Sequence, residues 1–466
     1  MVATSALATG APGTAIKHVF LMVADGAGYN TWNAASMYQG RWDASAGKST
    51  QAYESPNWVG FGCSTYPLNT ASTPTGSGLQ EVGLIYDPAK AWDQEQGYAW
   101  LRSGSTDSAA AATALSTATK TFNNAINWSD LDQPLGPTLA EMAKAAGKAV
   151  GVVTTVPWSH ATPAGLANAH DVSRDNLAEI ANAMLADEVM DVIMGAGNPD
   201  YDDNGVPREV PGDYQSVGGY DTWRAIEEAR ARPAGTYQGF RPLSTLAKFQ
   251  ALISGPTPRR VLGTAQVATT LQQARQGSNA GEPGQDSPRN PGVPDLVTLV
   301  RGALNVLDED PDGLFLAIEG GAIDWANHQN NASRMIEEQV DFIAAMNAVI
   351  AWVEANSHWG ESLLILTADH ETGLVWGPRS DQIPFDPLLD QGAGRVPKLA
   401  FNATAHTNSL VPVYARGAGS EWLARFVIGD DPVRGPYVDN TGVAKVLRSA
   451  VAGPAPAMPA PVTLGP

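Results

Sequence analysis

Apolar residues in this chain fall into short uninterrupted runs separated by amphipathic stretches, the pattern of buried parallel strands alternating with helices. Val19–Ala24 is the first such run and stops at Asp25-Gly26-Ala27-Gly28, so it predicts a strand with Asp25 at its carboxyl end. Thr138-Leu-Ala-Glu141 is a capping box that opens a short helix, which Gly147 closes. Ala149–Val156 predicts the next strand and delivers Ser159-His160-Ala161-Thr162-Pro163. Leu177, Ile180, Ala181, Met184 and Leu185 have the spacing of one apolar helix face, and Asp191–Met194 reads as another short strand. Leu296–Leu307 predicts a helix, and Gly313–Ile318 a strand ending in Glu319-Gly320-Gly321. Ile336, Val340, Ile343, Met346, Ile350 and Val353 form one stripe of a long helix. Ser362–Thr367 is the last strong strand and ends in Ala368-Asp369-His370-Glu371. Strand and helix alternating at these lengths predict an α/β fold of three αβα layers around a large, mostly parallel sheet.

Two regions break the alternation. Residues 29–100 are rich in Trp, Tyr, Gly and Ser with little periodicity, and read as surface excursions. In 199–294, Asp, Gly, Pro and Gln dominate, which predicts a surface insertion holding a helix at 221–231 and a short strand at Arg260–Gly263. Within it, Gln276–Pro291 is nearly devoid of large apolar residues and reads as a mobile loop. Residues 1–14 read as a disordered leader and 451–466 as a Pro/Ala-rich tail, leaving 15–450 as one domain.

Composition narrows the partners. The chain has 466 residues, 43% of them hydrophobic, enough for a large core. A net charge of −19 argues against nucleic acid and anionic membranes, and suits an extracellular or periplasmic protein. No apolar run approaches the roughly 18 residues that a membrane span needs. Cys63 is the only cysteine, so no intrachain disulfide can form.

Candidate chemistry gathers at element ends. Arg102–Lys120 runs from a Gly/Ser-rich loop into an alanine-rich helix, placing Thr106-Asp107-Ser108 at a helix N-terminus that favours negative charge. Asp25, Glu319 and Asp369-His370 each follow an apolar strand, and Asp324 and His328 are one helical turn apart. His160 and His406 occupy similar polar settings, whereas His18, His170 and His358 read as ordinary surface or core histidines. Each residue alone has a plain explanation as a cap, a strand end or a solvated pair. Together, carboxylates and imidazoles at several strand ends suit zinc, and all-oxygen groups suit magnesium.

In these blocks the sequence resembles the alkaline phosphatases, from about Ile16 to Gly417. Thr106-Asp107-Ser108-Ala109-Ala110 is similar to the family's nucleophile motif, and Glu319-Gly-Gly-Ala-Ile-Asp324-Trp-Ala-Asn-His328 to its metal block. Thr367-Ala-Asp369-His370-Glu and Ala405-His406-Thr complete the set. The resemblance implies hydrolysis of small phosphate monoesters, releasing inorganic phosphate through a phosphoserine at Ser108, with two zinc ions and one magnesium. It implies Asp324, His328 and His406 around one zinc, and Asp25, Asp369 and His370 around the second. Asp25 would also reach a magnesium shared with Thr162 and Glu319. Arg174 would clamp phosphate, with Asp107 orienting it. His160 and Trp325 occupy pocket positions that vary within the family. Homodimers are common in the family, whose usual disulfides cannot form here. The spacing from His160 to Arg174 is one residue longer than the family pattern. That departure keeps a related phosphodiesterase or sulfatase open as an alternative, beside a non-catalytic metal- or phosphate-binding protein and a surface protein anchored through its tail.

Overall fold

The computed structural model describes residues 15–277 and 281–454, so the expected leader and the tail beyond 454 lie outside the described residues. One sheet of eleven strands organises the molecule. In chain order these are β1 (His18–Val23), β2 (Val59–Ser64), β3 (Ala149–Pro157), β4 (Val192–Ala196), β5 (Arg241–Leu243) and β6 (Val261–Thr264). β7 (Leu314–Glu319), β8 (Ser362–Thr367), β9 (Val411–Gly417), β10 (Val427–Asp431) and β11 (Gly435–Asp439) follow. Their spatial order is β10-β11-β2-β9-β8-β1-β7-β3-β4-β6-β5. All run the same way except β9 and β10.

β1, β7 and β8 are buried at every position, which is why their sequences are continuous apolar runs rather than alternations. Helices Tyr29–Tyr38, Leu296–Leu307 and Ala332–Asn356 cover one face. Ser108–Thr117, Leu139–Ala145 and Asn440–Ala452 pack together on the other. The capping box at Thr138 and Glu141 is formed in both directions. No helix among the described residues is long and apolar enough to cross a membrane.

Register is what positions the chemistry. Val23 lies opposite Glu319 on one side and Thr367 on the other, and Glu319 lies opposite Thr154. Asp25 and Asp369, each two residues beyond its strand, therefore emerge at the same end of the sheet as Glu319. That carboxyl end is where open α/β sheets bind ligands.

Four expectations need correction. Residues 29–100 are more than surface excursions, because β2 is a sheet strand joined to β9 and β11. Its sequence, Val-Gly-Phe-Gly-Cys-Ser, hides the strand because two glycines interrupt the apolar run. The glycines make room for neighbours: a Cβ on Gly62 would stand 2.9 Å from Leu410 Cδ1 and 3.0 Å from Tyr437 Cβ. The 199–294 stretch contains the expected helix, at Tyr220–Ala231, and the expected strand, as β6, but it is more than a surface insertion, because β6 and the unexpected β5 extend the main sheet beyond β4. The described part of Gln276–Pro291 is fastened by polar contacts instead of apolar burial. Buried Arg275 donates to the carbonyls of Ser287 and Pro288 and pairs with Glu337 at 2.8 Å. The helix Asn440–Ala452 also carries ordered structure just into the segment expected to be tail.

Candidate active site

Ser108 is the first residue of the helix Ser108–Thr117, every residue of which is buried. Asp107 caps that helix, one carboxylate oxygen accepting from the Ala110 N–H at 3.0 Å. The other oxygen accepts from the Arg174 guanidinium, also at 3.0 Å. The cap and the arginine holder are thus one side chain. Asn123 steadies the turn by accepting the Asp107 N–H at 3.0 Å. Arg174 also donates to His160 Nε2 at 3.4 Å. Burial, and then the arginine's charge, push the His160 pKa down to about 3, so this ring is neutral and accepts. The longer spacing between His160 and Arg174 has not carried the arginine out of the site.

The histidines share one arrangement. His328 Nδ1 donates to the Thr404 carbonyl at 2.7 Å, and His406 Nδ1 to the Thr106 carbonyl at 2.9 Å. Their Nε2 atoms then face each other at 3.1 Å, with Asp324 Oδ2 3.2 Å from His328 Nε2. Two lone pairs and a carboxylate converging in this way require a cation between them, a proton or a metal ion. With a proton there, the Asp324 hydrogen bond lifts His328 to about 9. His370 follows the same logic through Thr372. The Thr372 hydroxyl donates to Asp324 Oδ1 at 2.6 Å, so it must accept from His370 Nδ1, 3.2 Å away. His370 Nε2 is left facing Ser108 Oγ at 3.2 Å, Asp369 Oδ2 at 3.1 Å and Asp25 Oδ1 at 3.7 Å.

Beneath them lies an oxygen-rich group. Asp25 Oδ1, Glu319 Oε1 and Thr162 Oγ1 are buried without hydrogen-bond partners, and Asp369 Oδ2 has His370 Nε2 beside it at 3.1 Å. Burial and then the Asp369 charge raise the Asp25 pKa well above the usual carboxylate range, and burial lifts Glu319 to about 7. Thr154, opposite Glu319 in the sheet, donates to its other oxygen. Gly26 allows the close approach at this point, since a Cβ there would meet Asp324 Oδ1 at 2.7 Å in a backbone with φ of +70°.

Among the described residues, two groups have donor atoms close enough to share a metal: Asp324, His328 and His406, and Asp25, Asp324 and His370. The first matches expectation. In the second, Asp324 stands beside Asp25 and His370, while Asp369 approaches through His370 Nε2. Ser108, His160, Arg174, Trp325 and Gln329 join Asp324, His328 and His406 in lining a cavity of about 340 Å³. Trp325 packs edge-on to His160 with ring centroids 5.7 Å apart. His18, His170 and His358 lie outside it, His170 bonding Glu141 at 3.1 Å. Sequence reasoning missed Thr372, Thr154, Asn123 and Gln329. Only Thr372 carried a signal, its place two residues after His370.

The alkaline phosphatase family profile matches residues 16–385. The chain belongs to the alkaline phosphatase family. It is similar to alkaline phosphatase 3 of Bacillus subtilis, 31% identical over 273 residues, 58% of this chain and 49% of that protein. The Escherichia coli alkaline phosphatase is 30% identical over 345 residues, covering 67% of this chain and 69% of its own. The chain thus spans about half the length of the Bacillus subtilis relative. Among solved structures, Thermus thermophilus alkaline phosphatase superposes with a TM-score of 0.61 at 21% identity, covering 96% of this chain and 94% of that one. The enzyme from the Antarctic bacterium TAB5 gives 0.59 at 22% identity, covering 94% and 98%. These likenesses show that the alkaline phosphatase fold is shared.

Proposed function

We propose that the protein hydrolyses phosphate monoesters through a phosphoserine at Ser108. The observation that carries this reading is the meeting of Ser108 Oγ, the Asp107-held Arg174 and the facing histidine lone pairs in one cavity.

The donor set fits the metals that the family resemblance implies. Asp324, His328 and His406 would hold one zinc, and Asp25, Asp369 and His370 the other. Thr162 through Oγ1 and Glu319 through Oε1, both buried without a hydrogen-bond partner, would hold magnesium together with Asp25. Bound there, the ions would supply Lewis acidity that makes the Ser108 hydroxyl more nucleophilic and stabilises the leaving oxygen.

The chain's own groups account for the rest. Arg174 presents its guanidinium to the non-bridging oxygens, held in place by Asp107 and by neutral His160. The N-terminus of the Ser108 helix adds backbone N–H groups to the same charge. Ser108 Oγ bonds to phosphorus as the alcohol's P–O bond breaks, and water then breaks the Oγ–P bond, splitting one hard step into two.

The experiment is a comparison of purified, metal-loaded protein on the monoester, the diester and the sulfate ester of one chromogenic alcohol, with release of that alcohol as readout. Monoester turnover should exceed diester turnover by orders of magnitude. Faster diester or sulfate ester cleavage would replace this reading with the related hydrolase. The relative from Streptomyces griseus named streptomycin-6-phosphate phosphatase, 30% identical over 393 residues, supports the monoester side.

A further inference from the structure

Gln329 lies at the mouth of the Ser108 cavity, one residue after the ligand-type His328, and is exposed. Its amide is nonetheless tethered from below. Gln273, only 3% exposed, donates from Nε2 to Gln329 Oε1 at 3.0 Å. Gln273 comes from the 199–294 stretch, in a segment held against the site by the bond from Leu271 N to the Thr155 carbonyl at 2.9 Å. Thr155 in turn accepts the N–H of Ala322, the first residue of the helix that carries Asp324 and His328. A buried brace therefore fixes the exposed amide of Gln329 relative to the reacting groups.

With its carbonyl oxygen engaged by Gln273, Gln329 keeps its NH2 as the free donor of a side chain that lines the cavity. That polarity suits a pocket that takes an anion, and the hydrogen bonds of Arg174 and Ser108 go to other groups, Asp107, His160 and His370. The group that would meet it is the alcohol portion of a substrate. Trp325 lines the same mouth and offers that portion an apolar ring face.

Resting on the phosphomonoesterase reading, we infer that Gln329, braced by Gln273, is a specificity-determining residue that selects phosphate esters of polyhydroxy alcohols. Its NH2 donates to an alcohol oxygen near the scissile ester, while Trp325 packs on the carbon skeleton. A polar group placed to bond a substrate oxygen discriminates against the analogue that lacks it.

The test compares glycerol 2-phosphate with isopropyl phosphate, which share charge and carbon skeleton and differ in two hydroxyls. In metal-loaded protein, the ratio of their kcat/KM values should fall about fivefold to tenfold in Gln329→Ala, the size of one lost hydrogen bond. Turnover of isopropyl phosphate should stay within about twofold of the parent, since that substrate has nothing for the amide to bond. Gln273→Met, close in volume and unable to donate, should reproduce part of the same selective loss. An unchanged ratio in Gln329→Ala, or an equal loss on both substrates, overturns the inference and leaves the phosphatase reading intact. Failure of the parent to release phosphate from either ester overturns that reading instead.

Discussion

His328 Nε2 and His406 Nε2 face each other across 3.1 Å, although each ring has already committed its Nδ1 proton to a backbone carbonyl. Two acceptors held this close beside the Asp324 carboxylate repel unless a positive charge joins them. A strong chelator should therefore abolish activity and lower the thermal midpoint, and zinc with magnesium should restore both. Asp324→Ala or His328→Ala should cost activity by orders of magnitude, whereas exposed His358→Ala should behave like the parent. Full activity in metal-free protein would remove the metals from the mechanism.

Ser108→Ala deletes the attacking oxygen but leaves Arg174 and the ligand-type groups in place. Hydrolysis should fall by about three or more orders of magnitude, with a residue left because electrostatic stabilisation survives. Phosphate transfer to an added alcohol, detectable in the parent, should vanish with it. A variant that still transfers phosphate to alcohol would show that the covalent intermediate forms elsewhere.

Thr372 links two proposed metal groups through a single hydroxyl, accepting from His370 Nδ1 and donating to Asp324 Oδ1. Thr372→Val should weaken zinc binding about 10–100-fold, the usual cost of losing a partner that orients a ligand. Thr372→Ser should retain most of the affinity. Competition with a chromophoric chelator reads both. Equal affinity in the valine variant would mean that packing alone orients His370.

His160 and Trp325 leave the phosphate pocket without the charges that Asp and Lys would bring. The double change His160→Asp with Trp325→Lys should tighten inorganic phosphate and lower the maximal rate, because product release would slow. Phosphate inhibition constants at one pH with saturating magnesium check this. The carboxylate would also sit beside Arg174, now only 3.4 Å from the imidazole, so each single change should be measured as well. No tightening would mean that the pair does not set product affinity.

Glu338, 3% exposed and with Oε1 unpartnered, has its pKa raised to about 8 by burial and by the Asp341 charge. In the unfolded chain a glutamate ionises near about 4.3, so through the window up to about 8 the folded state binds the extra proton. Stability from this group is therefore fully present at low pH and declines as pH rises across that window. Glu338→Gln removes the decline, and should gain about 1–3 kcal/mol on the parent at about pH 9 with much less difference at about pH 5. Thermal melts at both pH values decide it. A difference independent of pH would show that Glu338 stays neutral or is compensated throughout.

The chain's sequence by itself determined which chemical groups end the strands and which helix begins at Ser108. An unbroken apolar run specifies a strand buried on both faces, and the polar residue that stops it must emerge at its end. For that reason Asp25, Glu319, Asp369 and His370 were legible, as was the Asp107 cap. The alkaline phosphatase motifs then named their partners by resemblance, and the structure brings those side chains into one cluster. Where the local signal was weak, reading failed: the glycines of Val59–Ser64 concealed a sheet strand, and the polar sequence of Gln276–Pro291 concealed its attachment to Arg275.

Only the tertiary structure decided how these groups meet. The register that sets Val23 against both Glu319 and Thr367 comes from strands nearly 300 or more residues apart in the chain, and local periodicity carries no information about it. The same holds for the Thr372 relay, for Asp324 standing between two groups, and for Gln273 reaching Gln329 across 56 residues. A side chain's type and local spacing say what it can bond. Which lone pair faces which neighbour is set by sheet order and by the packing of helices against it, and those depend on the whole core at once.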